Sequence, residues 1–313
     1  MEYRSLGQTG LHVSVLGLGG GGGSRLGQSA GLDREHSVRL VREAIDQGVN
    51  FIDTAEGYRT EPIIAEAIAG YDRDTLVLST KKTPTHDGRL ISGEELIAGL
   101  ERSLRSLGTD YVDVYHLHGV PSDLYAQARE NLVPTMQRLR EQGKIRALGI
   151  TEAFHSDRGH AMLQQAVADD CWEVIMVGFN MLNQSARQRV IGPARERGTG
   201  ILDMFAVRND LRQPEKLRAT VKHLIEIGQL DGATVDRDDP LGFLINRGPA
   251  VNLTDAAYRF CRDEPGVDVV LCGTGNPDHL RENVAAMRRP PLPEEARQRL
   301  MRMFAHVDAV SGQ

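Results

Sequence analysis

Short apolar runs alternate with longer amphipathic segments along this chain, and the pairing repeats about eight times. Most of the runs are apolar at consecutive positions, which is typical of parallel strands that are buried on both faces. The pattern predicts strands at residues 13–19, 49–55, 75–81, 111–118, 146–151, 173–180, 200–205 and 267–275.

Helix signals lie between these predicted strands. Residues 34–47 have apolar positions at helical spacing on one face. Ser92 and Glu95 have the spacing of a capping box, and leucines at helical spacing follow until Gly108. These signals predict that each strand is followed by a helix.

Eight consecutive strand–helix units predict a (β/α)8 TIM barrel, an α/β fold in which residues 1–313 form a single domain. A doubly wound sheet is the alternative, but it would stop at about six strands. Residues 206–252 are longer and less regular than the other connections, with one helix predicted at 215–227. We expect them to form a lid-like insertion above the seventh strand.

A run of glycines near the amino terminus matches the dinucleotide-binding pattern G-x-G-x-x-G at Gly17, Gly19 and Gly22. Five consecutive glycines match such patterns by accident. In a barrel, this run is the loop after the first strand and lies at the catalytic mouth. It serves there either as a flexible connection or as a direct contact to a ligand.

Composition excludes several classes of function. The net charge of −6 provides no basic surface for nucleic acid, and no apolar run approaches the ~18 residues that span a bilayer. Cys171, Cys261 and Cys272 lack the spacing of a zinc site or a disulfide framework. We therefore expect a cytoplasmic protein with no metal, no membrane partner and no nucleic-acid partner.

Four polar side chains fall at the carboxyl ends of successive predicted strands, where barrel enzymes carry their chemistry: Asp53, Tyr58, Lys81 and His118. A tyrosine has a pKa near 10, and a lysine cation within hydrogen-bond reach lowers it by roughly 1 to 3 units. The carboxylate would hold the ammonium, and the imidazole would orient a substrate oxygen. His116 lies on the same strand face and is the alternative histidine.

The chain resembles the aldo-keto reductase family in its motifs "FIDTAEGY", "LSTKK", "DYVDVYHLHGV" and "GTGNPDHLRENVAA", which follow the family order. The resemblance implies that Asp53, Tyr58, Lys81 and His118 are the catalytic residues, with Tyr58 as the proton donor. It also selects His118 over His116, which it leaves as a packed histidine.

At the nicotinamide end of the cofactor, the resemblance assigns Thr151, Glu152 and Met204, with Met176 where the family carries glutamine. The thioether of Met176 replaces a hydrogen-bonding amide, and that of Met204 replaces an aromatic ring that stacks on the nicotinamide. Asp203 and Arg208 are expected as unusual charged groups close to the mouth.

At the phosphate and adenosine end, the resemblance implies a glycine turn before a helix, which suits an anionic phosphate. His279 stands where the family often has an arginine for the 2′-phosphate. The family pattern nevertheless favours NADP(H) over NAD(H). The residues assigned to this end are Gly273, Thr274, His279, Glu282 and Asn283.

Together these features predict an oxidoreductase that interconverts a small carbonyl compound (aldehyde, ketone or sugar) and its alcohol with a nicotinamide cofactor. A non-redox proton-transfer enzyme (lyase, isomerase or hydratase) on the same barrel is the first alternative. A regulatory or binding subunit without turnover is the second. The insertion at 206–252 and the loop at 83–89 are expected to determine the substrate.

Overall fold

Eight parallel strands close into a barrel in the computed structural model, which describes residues 1–246 and 248–313. Their order around the barrel follows their order along the chain. Each strand predicted from the sequence has one counterpart, so the single-domain α/β barrel is confirmed. The barrel strands are Leu16–Gly19, Phe51–Asp53, Val77–Lys82, Val112–Val120, Ile145–Glu152, Val174–Gly178, Gly200–Met204 and Val269–Cys272.

The helices form an outer layer around the barrel. Asp33 caps the first of them by accepting a hydrogen bond from the His36 amide at 2.7 Å. The predicted capping box at Ser92 and Glu95 is present, and the helix it starts ends at Gly108, whose φ is 65°. The α-helices are Arg34–Asp46, Glu61–Ile68, Gly93–Leu107, Tyr125–Glu141, Ala161–Ala166, Gly192–Arg197, Asn209–Arg212, Pro214–Glu226, Gly242–Ile245, Leu253–Arg262, Pro277–Arg288 and Glu294–Met303.

The first barrel strand is shorter than predicted, because the start of the predicted run belongs to an amino-terminal hairpin. Tyr3–Ser5 pairs antiparallel with His12–Ser14, and the barrel strand begins only at Leu16. The apolar run at 13–19 is continuous in sequence because both of its parts are buried. Leu6 and Leu11, in the turn of the hairpin, join the apolar cluster inside the barrel and close its amino-terminal end.

Two apolar cores follow from the alternation of side chains along the strands. The smaller core fills the barrel interior and includes Phe51, Val114, Met176 and Leu202. The larger core lies between the barrel and the helices. Inward-facing side chains at the carboxyl end of each strand therefore meet at the carboxyl-terminal mouth of the barrel.

The connection after the seventh strand contains the helix predicted at 215–227, which the structure places at Pro214–Glu226. Shorter helices at Asn209–Arg212 and Gly242–Ile245 flank it and were not predicted. Arg247 lies outside the described residues. Among the described residues of this connection, those that line the cleft at the mouth lie in its first part, so a lid role for residues 206–252 stays a prediction.

Within residues 1–246 and 248–313, no helix has both the length and the apolar character needed to cross a bilayer. In the same part of the chain, no three His, Cys, Asp or Glu side chains are grouped to hold a metal ion.

Candidate active site

A cleft of about 1260 Å³ opens at the carboxyl-terminal mouth of the barrel. Its walls come from the loop after the first strand (residues 20–31, here called the glycine loop), the ends of the second, sixth and seventh strands, and the turn and helix after the eighth. The prediction that the glycine run lies at the mouth is confirmed. Predicted site residues that line the cleft are Asp53, Tyr58, Met176, Met204, Gly273, Thr274, His279, Glu282 and Asn283.

A buried ion pair forms the floor of the site. The Lys81 ammonium donates to Asp53 Oδ2 at 2.5 Å and to the Thr54 carbonyl at 2.7 Å. Ser79 donates to the other Asp53 oxygen at 2.8 Å. Burial raises the pKa of Asp53, and both partners oppose this by stabilising the carboxylate.

Tyr58 and His118 meet directly above this pair. The Tyr58 hydroxyl lies 3.1 Å from His118 Nε2, and the two rings pack edge to face. Lys81 Nζ lies 5.2 Å from the centroid of the Tyr58 ring. The structure therefore brings together all four side chains that the sequence selected.

The expected effect of Lys81 on Tyr58 needs correction. The Lys81 ammonium donates hydrogen bonds to Asp53 and Thr54, and it acts on the Tyr58 phenol through its charge and not through a hydrogen bond. Burial raises the pKa of Tyr58, and the attraction of Lys81 does not overcome it. Tyr58 is consequently a protonated phenol at neutral pH.

His118 is a neutral imidazole. Burial lowers the pKa of His118 to about 3, and the nearby Lys81 ammonium acts in the same direction. A neutral ring carries one N–H donor and one acceptor nitrogen, so it can share a hydrogen bond with an uncharged oxygen. His116 is fully buried against Gly149, where an added Cβ would lie 2.2 Å from its Nδ1. It does not line the cleft.

The turn after the eighth strand leaves room for a ligand. A Cβ at Gly273 would have no neighbour closer than 3.8 Å, so the backbone is accessible from the cleft. The Asn276 side chain caps the following helix by accepting a hydrogen bond from the Asp278 backbone amide at 2.8 Å. The Asn276 backbone amide donates to the Thr274 hydroxyl at 3.0 Å. This rigid turn directs the start of helix Pro277–Arg288 towards the cleft.

Thr151 and Glu152 do not line the cleft. The Thr151 hydroxyl accepts the Gly119 amide at 2.7 Å. The Glu152 carboxylate is buried behind the barrel wall, 2.9 Å from His160 Nδ1, and it accepts the Gly178 amide at 2.8 Å. Adjacent residues of a strand point to opposite faces, and Glu152 follows the outward series. The expected contact of these two side chains with nicotinamide therefore finds no support in this geometry.

The two charged residues expected near the mouth have different positions. Asp203 is fully buried on the outer face of its strand, where it accepts the Phe179 amide at 3.2 Å, and burial raises its pKa well above the usual range. Its expected position at the mouth is wrong. Arg208 does line the cleft.

Arg208 stacks on an aromatic ring and hydrogen-bonds the carboxyl-terminal residue, contacts that the sequence did not reveal. Its guanidinium lies 4.1 Å from the centroid of the Phe205 ring and donates twice to Gln313 Oε1, at 2.9 and 2.7 Å. Arg208 Nη1 is buried and has no hydrogen-bond partner among the described residues. Arg212 also lines the cleft. Two cations therefore face a cleft whose lining also includes the Glu282 carboxylate.

Comparison with known proteins identifies the family of the chain. The model of the aldo/keto reductase family matches residues 16–303. The chain is 29% identical over 313 aligned positions to aldo-keto reductase YhdN of Bacillus subtilis, covering 90% of this chain and 87% of that protein. It is 28% identical over 219 positions to the NADH-specific methylglyoxal reductase of Escherichia coli, covering 63% of this chain and 65% of that protein.

A solved structure extends the similarity to the whole fold. The aldo-keto reductase AKR11C1 from Bacillus halodurans, in its holo form, superposes with a TM-score of 0.75 at 25% identity. The match covers 99% of this chain and 98% of that chain. With the family model spanning nearly the whole barrel, the chain belongs to the aldo/keto reductase family of NAD(P)H-dependent oxidoreductases.

Proposed function

We propose that the protein interconverts a small aldehyde, ketone or sugar with its alcohol, with Tyr58 as the proton donor in reduction. The observation that carries this proposal is the contact between the Tyr58 hydroxyl and His118 directly above the buried Lys81–Asp53 pair. A weak acid, a neutral hydrogen-bonding ring and a fixed cation are the groups that protonation of a carbonyl oxygen requires.

Each side chain has a separate task in reduction. His118 hydrogen-bonds the carbonyl oxygen and orients it towards Tyr58, whose hydroxyl proton moves to that oxygen as negative charge develops. The raised pKa of Tyr58 keeps this proton available at neutral pH. Lys81, fixed by Asp53, stabilises the phenolate that is left. In alcohol oxidation the same phenolate accepts the proton back.

The residues at one end of the cleft fit a nicotinamide dinucleotide. Gly273 leaves its backbone open to the cleft, and Thr274 and Asn283 line the wall beside it. Such a cofactor, when bound, supplies the hydride for the carbonyl carbon. The opposite end offers it Met176 and Met204, which provide apolar contact but no strong hydrogen bond.

We further propose a preference for NADP(H), because Arg208 and Arg212 add positive charge to the cleft. Arginine binds phosphate through paired donors, which a histidine cannot match. Dissociation constants for NADPH and NADH, measured for Arg208→Met, Arg212→Met and His279→Ala, separate the two sources of charge. Loss of the preference in an arginine variant identifies that arginine, whereas loss only in His279→Ala identifies His279.

A substrate screen should start from small carbonyl compounds. Methylglyoxal is a reasonable first probe because a related Escherichia coli protein is an NADH-specific methylglyoxal reductase. Consumption of reduced cofactor with methylglyoxal, simple aldehydes and aldoses tests the proposal. Loss of this consumption in Tyr58→Phe, with a normal melting temperature, supports it. Full consumption by that variant would remove Tyr58 from the reaction.

Non-redox proton transfer remains a second candidate function, and a specific observation favours it. Two methionines line the nicotinamide end, and Glu152 is occupied by His160, so a carboxamide would have few partners there. NADPH that carries deuterium at both C4 positions separates the two reactions, because only reduction transfers deuterium to the product carbon. The four assembled polar side chains argue against a subunit without turnover.

A further inference from the structure

We propose that the glycine loop positions Tyr58 for proton transfer, through Gly21 against its ring and Arg25 on its backbone carbonyl. This inference rests on the proposed function, in which Tyr58 is the proton donor. Neither residue was selected from the sequence as part of the site. Both reach Tyr58 from a different strand–helix unit of the barrel.

Gly21 forms a surface against which the Tyr58 ring lies. A Cβ built at Gly21 would be 2.3 Å from Tyr58 Cε2, 2.5 Å from Cζ and 2.8 Å from Cδ2. Cζ carries the hydroxyl, so a side chain at residue 21 would displace the reacting group or the loop from their present contact. Relief of this overlap requires a displacement of about 1 Å, and a misplacement of that size can cost about 100-fold in rate.

Arg25 holds the backbone of Tyr58. Its Nε donates to the Tyr58 carbonyl at 3.1 Å, and its Nη2 donates to the same oxygen. Tyr58 ends the short 3-10 segment Glu56–Tyr58, and Arg59 follows in a left-handed conformation with a φ of 60°. The last carbonyls of a helical segment lack partners within it. Arg25 therefore supplies a charged double donor where the turn itself supplies none.

The backbone of the glycine loop is strained in a way that directs Arg25 inward. Arg25, Leu26 and Gly27 have consecutive positive φ values of 45°, 58° and 99°. Left-handed conformations cost non-glycine residues free energy, so the surroundings must maintain them. Leu26 is fully buried, and its carbonyl accepts the Ser37 hydroxyl at 2.8 Å. The core thus anchors Leu26 and leaves the Arg25 side chain facing Tyr58.

Two variants test the proposal independently. Gly21→Ala should lower kcat by about 100-fold because it displaces the phenol. Gly57→Ala is the matched control, since it adds the same methyl group one residue from Tyr58 but meets no atom within 4 Å. Arg25→Met should lower kcat at least tenfold, and Arg25→Lys should recover part of the loss because one donor remains.

Three readouts separate positioning from a structural role. The dissociation constant for the cofactor should be unchanged in Arg25→Met, because Arg25 does not line the cleft. Each variant should be as fully folded at the assay temperature as Gly57→Ala, and the basic limb of the kcat profile should move as the phenol leaves its buried contact. Tyr58→Phe is assayed in parallel. If Tyr58→Phe is inactive while Gly21→Ala and Arg25→Met keep full kcat, the positioning proposal is wrong and the proposed function stands. If Tyr58→Phe is active, the proposed function fails.

Discussion

Breaking the buried Lys81–Asp53 pair should destabilise the barrel strongly. The two side chains are only 1% and 5% exposed, so solvent cannot replace the lost partner. In Lys81→Met, the Asp53 carboxyl retains only the Ser79 hydroxyl as a side-chain donor. Removing one member of a buried pair costs about 3–5 kcal/mol, which for a chain of 313 residues lowers the melting temperature by about 5–8 °C.

The pH dependence of this loss has a definite sign. Without Lys81, only the Ser79 hydroxyl opposes burial, which therefore holds the pKa of Asp53 above that of the unfolded chain. The folded state therefore favours protonated Asp53. The loss of folding free energy in Lys81→Met, relative to the wild type, should be small near pH 4 and grow as the pH rises.

A double-mutant cycle with Asp53→Asn measures the coupling, which we expect to be about 2–3 kcal/mol in thermal or urea unfolding. A loss of folding free energy under about 1 kcal/mol in Lys81→Met at pH 7 would contradict a strong buried pair. So would a double variant whose loss equals the sum of the losses in the two single variants.

Other consequences follow from the same geometry. Because the pKa of His118 is about 3, the kcat profile for reduction should show no acidic limb from this residue above about pH 4, and a limb near pH 6.5 would contradict the neutral ring. Met176→Gln should tighten the whole cofactor but not its adenine fragment in calorimetry, by up to about tenfold. Glu152→Asn should leave both affinities unchanged and lower the melting temperature, because it breaks the buried contact with His160. His279→Arg should tighten NADPH more than NADH, and equal tightening would show that His279 does not face the 2′-phosphate.

The barrel and three of its site residues were predictable because of one geometric rule. Parallel strands in a closed barrel end on a common rim, so Asp53, Lys81 and His118 had to approach one another once the strands were recognised. Their separation along the chain does not matter for this rule. The family motifs then separated His118 from His116, which the alternation of side chains alone could not do.

Other contacts depend on local backbone conformations that the pattern of apolar residues does not encode. Glu152 faces outward and meets His160, which has a left-handed backbone with a φ of 61°. Arg25 reaches Tyr58 only because three consecutive residues have positive φ values. Arg208 is fixed by Gln313, which is 105 positions away in sequence. Motif positions therefore predicted where Glu152 lies on its strand but not its contact with His160.

The decisive measurement is transfer of deuterium to a carbonyl substrate from NADPH that carries deuterium at both C4 positions. We expect one deuterium on the former carbonyl carbon with the wild-type protein, and none with Tyr58→Phe at equal cofactor occupancy. Product that forms without deuterium would contradict hydride transfer. Undiminished deuterium transfer by Tyr58→Phe would contradict the assignment of Tyr58 as the proton donor.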